Sequence, residues 1–104
     1  MNRAMRRQMK QLQGLQDMLS KAKEELAEMT VEASSGGGVV KVVMTGQQKV
    51  RSIKISPEVV DPDEVDLLED MVLAAINEAT EKSQSMASSH MGGLTGGLDI
   101  PGLT

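Results

Sequence analysis

The chain contains no cysteine, tryptophan, tyrosine or phenylalanine, and only one histidine. Without thiols it can form neither a disulfide frame nor a thiolate metal centre. Without aromatic rings it lacks both the largest single contributors to a core and the platforms on which unpaired bases stack. Nine methionines, with many Val, Leu and Ala residues, must do the packing. At 104 residues the resulting core is small, and chains of this size gain burial by associating with a copy of themselves. An oligomer is therefore expected. Also missing is any apolar run near the ~18 residues of a membrane span. The basic start lacks the apolar stretch, about 7–15 residues long, of a signal peptide. A cytoplasmic chain with no membrane partner is expected. An Arg-rich transit peptide fits less well, because the hydrophobic spacing that begins at Met5 runs on unbroken into the following residues.

What is present is strongly segmented in charge. The net charge is −4. Residues 1–10 nevertheless carry +4 from Arg3, Arg6, Arg7 and Lys10, with no acid among them. Residues 33–57 carry another +4 from Lys41, Lys49, Arg51 and Lys54, whereas residues 58–104 carry −9, Lys82 against ten acids. Overall acidity thus says little about what any one surface attracts.

Met5, Leu12, Leu19 and Leu26 recur every seven residues, with Leu15, Ala22 and Met29 three positions after the last three. This heptad stripe predicts a helix of about 26 residues, roughly 40 Å long. Gly14 sits off the stripe. The run TVEASSGGGVVKVVMTGQQKVRSIKIS then changes period, predicting strands over 30–34, 39–45 and 49–55 with turns at Gly36-Gly37-Gly38 and around Gly46. A two-residue turn at Gly46-Gln47 would set Met44 opposite Lys49, Val42 opposite Arg51 and Val40 opposite Ile53. One sheet face then collects Val40, Val42, Met44, Ile53 and Ile55, and the other keeps Val39, Val43 and Val50 beside Lys41 and Lys54.

Asp61-Pro62-Asp63-Glu64 reads as the start of a second helix, with Asp61 as cap, Pro62 at the first position and Glu64 closing a capping box. Its buried face is expected to hold Val65, Leu68, Val72, Ala75 and Ala79, widened by Leu67, Met71 and Ile76. The helix is expected to fade between Lys82 and Met91. Residues 1–91 then form one α+β domain of helix, three-stranded antiparallel sheet and helix, and residues 92–104 a flexible Gly-rich tail. Strands of five to seven residues span only about 17–24 Å, so the long first helix must overhang its own sheet. A second copy related by a two-fold axis is the expected cover, with Leu12, Leu15, Leu19, Val40, Val42, Ile53, Leu68 and Val72 serving core or dimerisation.

Catalytic and metal-binding patterns fail on inspection. Gly36-Gly37-Gly38 is followed by a strand and by no Lys-Ser or Lys-Thr at phosphate-loop spacing. Asp61, Asp63 and Glu64 begin like a calcium loop, but Asp66 stands where its glycine belongs and Val72 where its bidentate Glu belongs. His90 lies close to Ser85, Ser88 and Ser89 at a helix end with no supporting shell to lock a nucleophile and base. No catalytic residue, metal, cofactor or small-molecule substrate is expected.

The basic start is different. Cations near a helix N-terminus oppose the macrodipole at roughly 0.3–1 kcal/mol each, and Glu24, Glu25 and Glu28 load the other end with the opposite wrong sign. The run alone admits two readings, a solvated end that aids solubility or a surface for an external polyanion. Two-fold pairing favours the second. It collects eight cations, enough for sequence-tolerant phosphate binding, and the absence of aromatics points to duplex rather than looped or single-stranded targets. Arg and Met alternate here without the Trp, Phe or Leu wedge of a membrane-surface helix. The competing reading is a protein-interaction or scaffold module that uses the acidic second helix and Met-rich surfaces.

The stretch GGGVVKVVMTGQQKVRSIKISPEVV, followed by LLEDMVLAAINEA and by LTGGLDIPGL, resembles the YbaB/EbfC family of bacterial nucleoid-associated proteins over about residues 8–103. The start lacks the Gly-rich lead-in of many relatives, and Ile76 stands where they often carry Phe. The resemblance implies a tweezer-shaped homodimer that binds and organises chromosomal DNA in the nucleoid without catalysis. It implies contact through protruding helices, which by position means Arg3, Arg6, Arg7 and Lys10, with Lys82 and His90 as further candidates.

Overall fold

The structure, a computed structural model, describes residues 2–95. Helix α1 (Arg3–Glu28) leads into strands β1 (Thr30–Ser35), β2 (Val40–Thr45) and β3 (Val50–Ile55), then two short 3-10 turns, Pro57–Val59 and Pro62–Glu64, and helix α2 (Val65–Thr95). The strands form one antiparallel sheet in the order β1-β2-β3. The architecture is the expected α+β arrangement. Its radius of gyration is 20.4 Å, with extents of 73 × 26 × 16 Å, against about 13 Å for a compact domain of this size. The excess reflects helices that outrun the sheet.

α2 lies across β1 and β2, and the core forms between them from Ala33, Val40, Val42, Met44, Ala75 and Ala79, flanked by Leu68, Met71, Val72 and Ile76. Ala75, Ala79 and Ser83 are spaced four apart, so they form one line along α2. All three are fully buried, and their small size lets the helix backbone approach the sheet. Ser83 makes that approach specific. Its hydroxyl donates to the Thr45 carbonyl at 2.6 Å and accepts from the Gln48 side-chain amide at 3.1 Å. Ser83→Ala should lower stability by about 1–2 kcal/mol, because the helix then buries a carbonyl with one partner fewer; a urea melt followed by circular dichroism measures it.

The hairpin register differs from expectation. Val40 pairs with Ile55, Lys41 with Lys54, Val42 with Ile53 and Val43 with Ser52, and a bulge then sets Met44 opposite Val50. The cause is the turn. It uses three residues, Gly46, Gln47 and Gln48, closed by Thr45 N–H to the Lys49 carbonyl at 2.8 Å. Gln48 holds the left-handed position at φ 59°, held there by its side-chain bonds to the Gly46 carbonyl and Ser83. The bulge also carries Val50 to the α2 side of the sheet rather than beside Lys41. On that side Val50, Ile53 and Ile55 remain 45, 42 and 38% exposed, because α2 stops short of β3.

α1 is anchored at one end only. Ala22 and Leu26 are its buried residues, while residues 3–21 are exposed. Of the expected core or dimerisation set, Val40 and Val42 are fully buried, and Leu68 and Val72 are half-buried. Leu12, Leu15 and Leu19 are 60, 42 and 37% exposed along the overhang.

Two expectations for α2 need correction. Its first turn is 3-10, with the Asp61 carboxylate accepting from the Asp63 N–H at 2.9 Å, so the α-helix begins at Val65 and leaves Val65 and Leu67 exposed. It also runs on through Gly92 and Gly93 to Thr95 instead of fading by Met91, since Ser85–Met91 contains no breaker and α1 lies alongside. The remainder of the expected tail, residues 96–104, lies outside the described residues.

Candidate nucleic-acid interface

The sequence around α1 sets up its N-terminus without help from charge. Asn2 caps the helix, its side-chain oxygen accepting from the Met5 N–H at 2.9 Å, as an N-cap Asn does. The first turn holds no acid and the last turn no base, so nothing on the helix itself complements the dipole. Arg3, Arg6, Arg7 and Lys10 therefore sit in the field of an unneutralised positive helix end. Together they form a concentrated positive tip.

Their spacing adds a direction. At about 100° per residue, positions 3, 6, 7 and 10 fall within an arc of about 100°. Met5, Leu12 and Leu19 occupy the opposite side. The free half of α1 thus has a cationic face and an apolar face back to back. All four cations are exposed, and among the described residues no ion pair engages them. The carboxylates of Glu24, Glu25 and Glu28 lie at the other end of the same helix. The arginines do not fold back on their own acids.

Lys82 and His90 are placed differently. The Lys82 ammonium lies 3.4 Å from the Glu78 carboxylate and donates to the Glu32 carbonyl at 3.0 Å, which ties it to the free edge of β1. His90 Nε2 is 2.9 Å from the Glu25 carboxylate, a contact that joins α2 to α1. Neither is brought to the α1 tip. Each has an intramolecular partner that fixes the two helices against the sheet or each other.

The corrected register makes direct partners of two cations that the sequence places only on the same sheet face. Lys41 and Lys54 are direct cross-strand neighbours, beside a shallow cavity of about 230 Å³ lined by Glu32, Lys41, Val43, Ser52 and Lys54. The alternation of β2, buried at Val40, Val42 and Met44 and open at Lys41, sets their common face, and the turn length sets them opposite each other. Among the described residues no group of three or more His, Asp or Glu side chains could hold a metal ion. No described helix is long and apolar enough to cross a membrane.

Comparison with known proteins finds sequence relatives and a structural neighbour. A model of the YbaB/EbfC DNA-binding family matches residues 1–98. A nucleoid-associated protein from Pelotomaculum thermopropionicum is 52% identical over 99 residues, covering 95% of this chain and 94% of its own length. One from Syntrophobacter fumaroxidans is 50% identical over 95 residues, covering 91% and 86%. In three dimensions, the crystal structure of an uncharacterized Helicobacter pylori protein shares the fold at TM-score 0.76 and 16% identity, covering 90% of this chain and 97% of that one.

Proposed function

The chain belongs to the YbaB/EbfC DNA-binding family, and from that premise we propose that it grips duplex DNA as a two-fold homodimer, non-enzymatically and with weak sequence preference. The contacts are phosphate contacts from Arg3, Arg6, Arg7 and Lys10, and the role is organising the chromosome within the nucleoid or modulating its expression. The observation that carries this reading is the tip of α1, where four exposed cations without acidic partners share one arc. Contacts made to phosphates fix position and carry no sequence information of their own. Weak preference follows.

The dimer rests on uncovered apolar surface. Met5, Met9, Leu12, Leu15, Met18 and Leu19 are 37–60% exposed along α1, and Val50, Ile53 and Ile55 lie bare on the α2 side of β3. A monomer keeping both surfaces in water would forgo roughly 25 cal/mol for each Å² left uncovered. A second copy seated on either surface leaves the cationic faces of α1 turned outward.

A mobility-shift titration on duplex DNA at two salt concentrations tests the reading. Eight phosphate contacts in a dimer give a slope of log affinity against log salt of about −7, so affinity should fall by several orders of magnitude between about 50 and 200 mM salt. Sedimentation at micromolar concentration should return a dimer. A protein that shifts no DNA at low salt, or binds independently of salt, is instead a protein-docking module that uses its apolar and acidic surfaces.

A further inference from the structure

The Lys41–Lys54 pair has no structural explanation in the fold itself. Like charges directly opposite each other on neighbouring strands destabilise a sheet. Here Lys41 is the centre and Lys54 the β3 end of the row Ser34–Lys41–Lys54, on the face turned away from α2, with Val40 and Val42 buried on the other side. Both lysines are exposed. α1 meets the hairpin at Gly46, five residues beyond Lys41 toward the turn, so the lysine end of this face stays open. Glu32 is the one acid lining the adjoining cavity, one row away. Residues 33–57 add Lys49 and Arg51 and include no acid.

We propose that this open sheet face, centred on Lys41 and Lys54, is a second phosphate-backbone contact that takes a separate stretch of duplex DNA, so that one assembly joins two duplexes. An antiparallel sheet can leave one face in water, and that face is flat enough to lie along a polyanion. The lysine ammonium is a compact charge on a flexible stem, suited to phosphates met in varied geometry. Phosphate between Lys41 and Lys54 would also relieve their mutual repulsion. Distance keeps the two contacts distinct. From Lys10 to the end of α1 at Glu28 is about 27 Å of helix, so a duplex held at the α1 tip leaves the sheet face free. The anionic 3-10 turn at Asp63 and Glu64 and the first turns of α2, with Asp66, Glu69 and Asp70, repel DNA from the other side and confine it to these two places.

This inference rests on the DNA-binding reading, and its test separates the two. Duplex DNA is fixed to beads, the full-length protein is added, and capture of a second, labelled duplex is measured beside a mobility shift. The unaltered protein should do both. Lys41→Gln with Lys54→Gln should retain the shift and lose capture by about tenfold or more, since a few phosphate contacts at moderate salt account for that much affinity. Lys41→Arg with Lys54→Arg should restore capture, and equal thermal melts should show that all three proteins fold alike. Undiminished capture by the glutamine variant, or a shift without capture in the unaltered protein, overturns the proposal while leaving the first contact standing. Absence of any shift overturns both. Salt-sensitive oligomers larger than a dimer that form without DNA and vanish in the glutamine variant would assign the face to the acidic α2 start of another copy, and would equally overturn it.

Discussion

Arg6→Glu combined with Arg7→Glu abolishes the duplex mobility shift while raising, or leaving unchanged, the thermal stability of the protein. The two effects separate because the same charges act oppositely on helix and ligand. At the first turns of α1, glutamates complement the macrodipole that the arginines oppose, a gain of about 0.3–1 kcal/mol for each position reversed. The side chains are exposed and engage no ion pair among the described residues, so their replacement opens no cavity and orphans no partner. For DNA the change removes about half of the phosphate contacts that a dimer presents and adds repulsion, and the salt slope of any residual binding should shrink in magnitude from about 7 to below about 4. Sedimentation should be unaltered, since Arg6 and Arg7 face away from the apolar side of α1. Full retention of the shift would move the primary site off the α1 tip. Arg6→Lys with Arg7→Lys, which keeps the charge, should retain most of the binding.

Gly46→Val is expected to have the largest effect on folding. Gly46 joins the hairpin to the C-terminal end of α1, its N–H donating to the Leu26 carbonyl at 2.9 Å and the Met29 carbonyl at 3.0 Å. A Cβ at this position would stand 2.8 Å from both the Leu26 carbonyl oxygen and Leu26 Cδ2. The oxygen belongs to helix backbone and cannot swing aside, so the hairpin must retreat from α1 and weaken both hydrogen bonds. Overpacking costs about 1–3 kcal/mol and each hydrogen bond about 1 kcal/mol, a large share of the 5–15 kcal/mol typical of a domain. A fall in Tm of about 10–20 °C is expected in a circular-dichroism melt. Gly14, around which a Cβ meets nothing within 4 Å, provides the control: Gly14→Ala should leave the melt unchanged or raise it through helix propensity of about 1 kcal/mol.

The contrast between these glycines shows where sequence reading succeeded and where it stopped. The heptad stripe of Met5, Leu12, Leu19 and Leu26 announces α1 because its period depends on local geometry alone, and the overhang follows from comparing lengths. The Val-rich runs announce the strands for the same reason. The sheet register was not legible, because it depends on Gln48 accepting a left-handed φ of 59° in return for bonds to Gly46 and to Ser83, 35 residues away. With the register went the side of the sheet on which Val50 lies and the meeting of Lys41 with Lys54. The α1 cations were legible as a charge run, and their common arc follows from helical spacing. The partners of Lys82 and His90 were not, since Glu32 and Glu25 reach them only through the packing of α2 on the sheet and on α1.

Anchored at Ala22 and Leu26 and free beyond them, α1 is mechanically a lever of about 30 Å on a short fulcrum. A tilt of about 5° at the Leu26–Gly46 joint swings Arg3 by roughly 3 Å over that length, comparable to the rise of one base pair along each strand. The Leu26–Gly46 contact, with the Gln47–Lys23 and His90–Glu25 contacts beside it, thus sets how far the cationic end of α1 can swing.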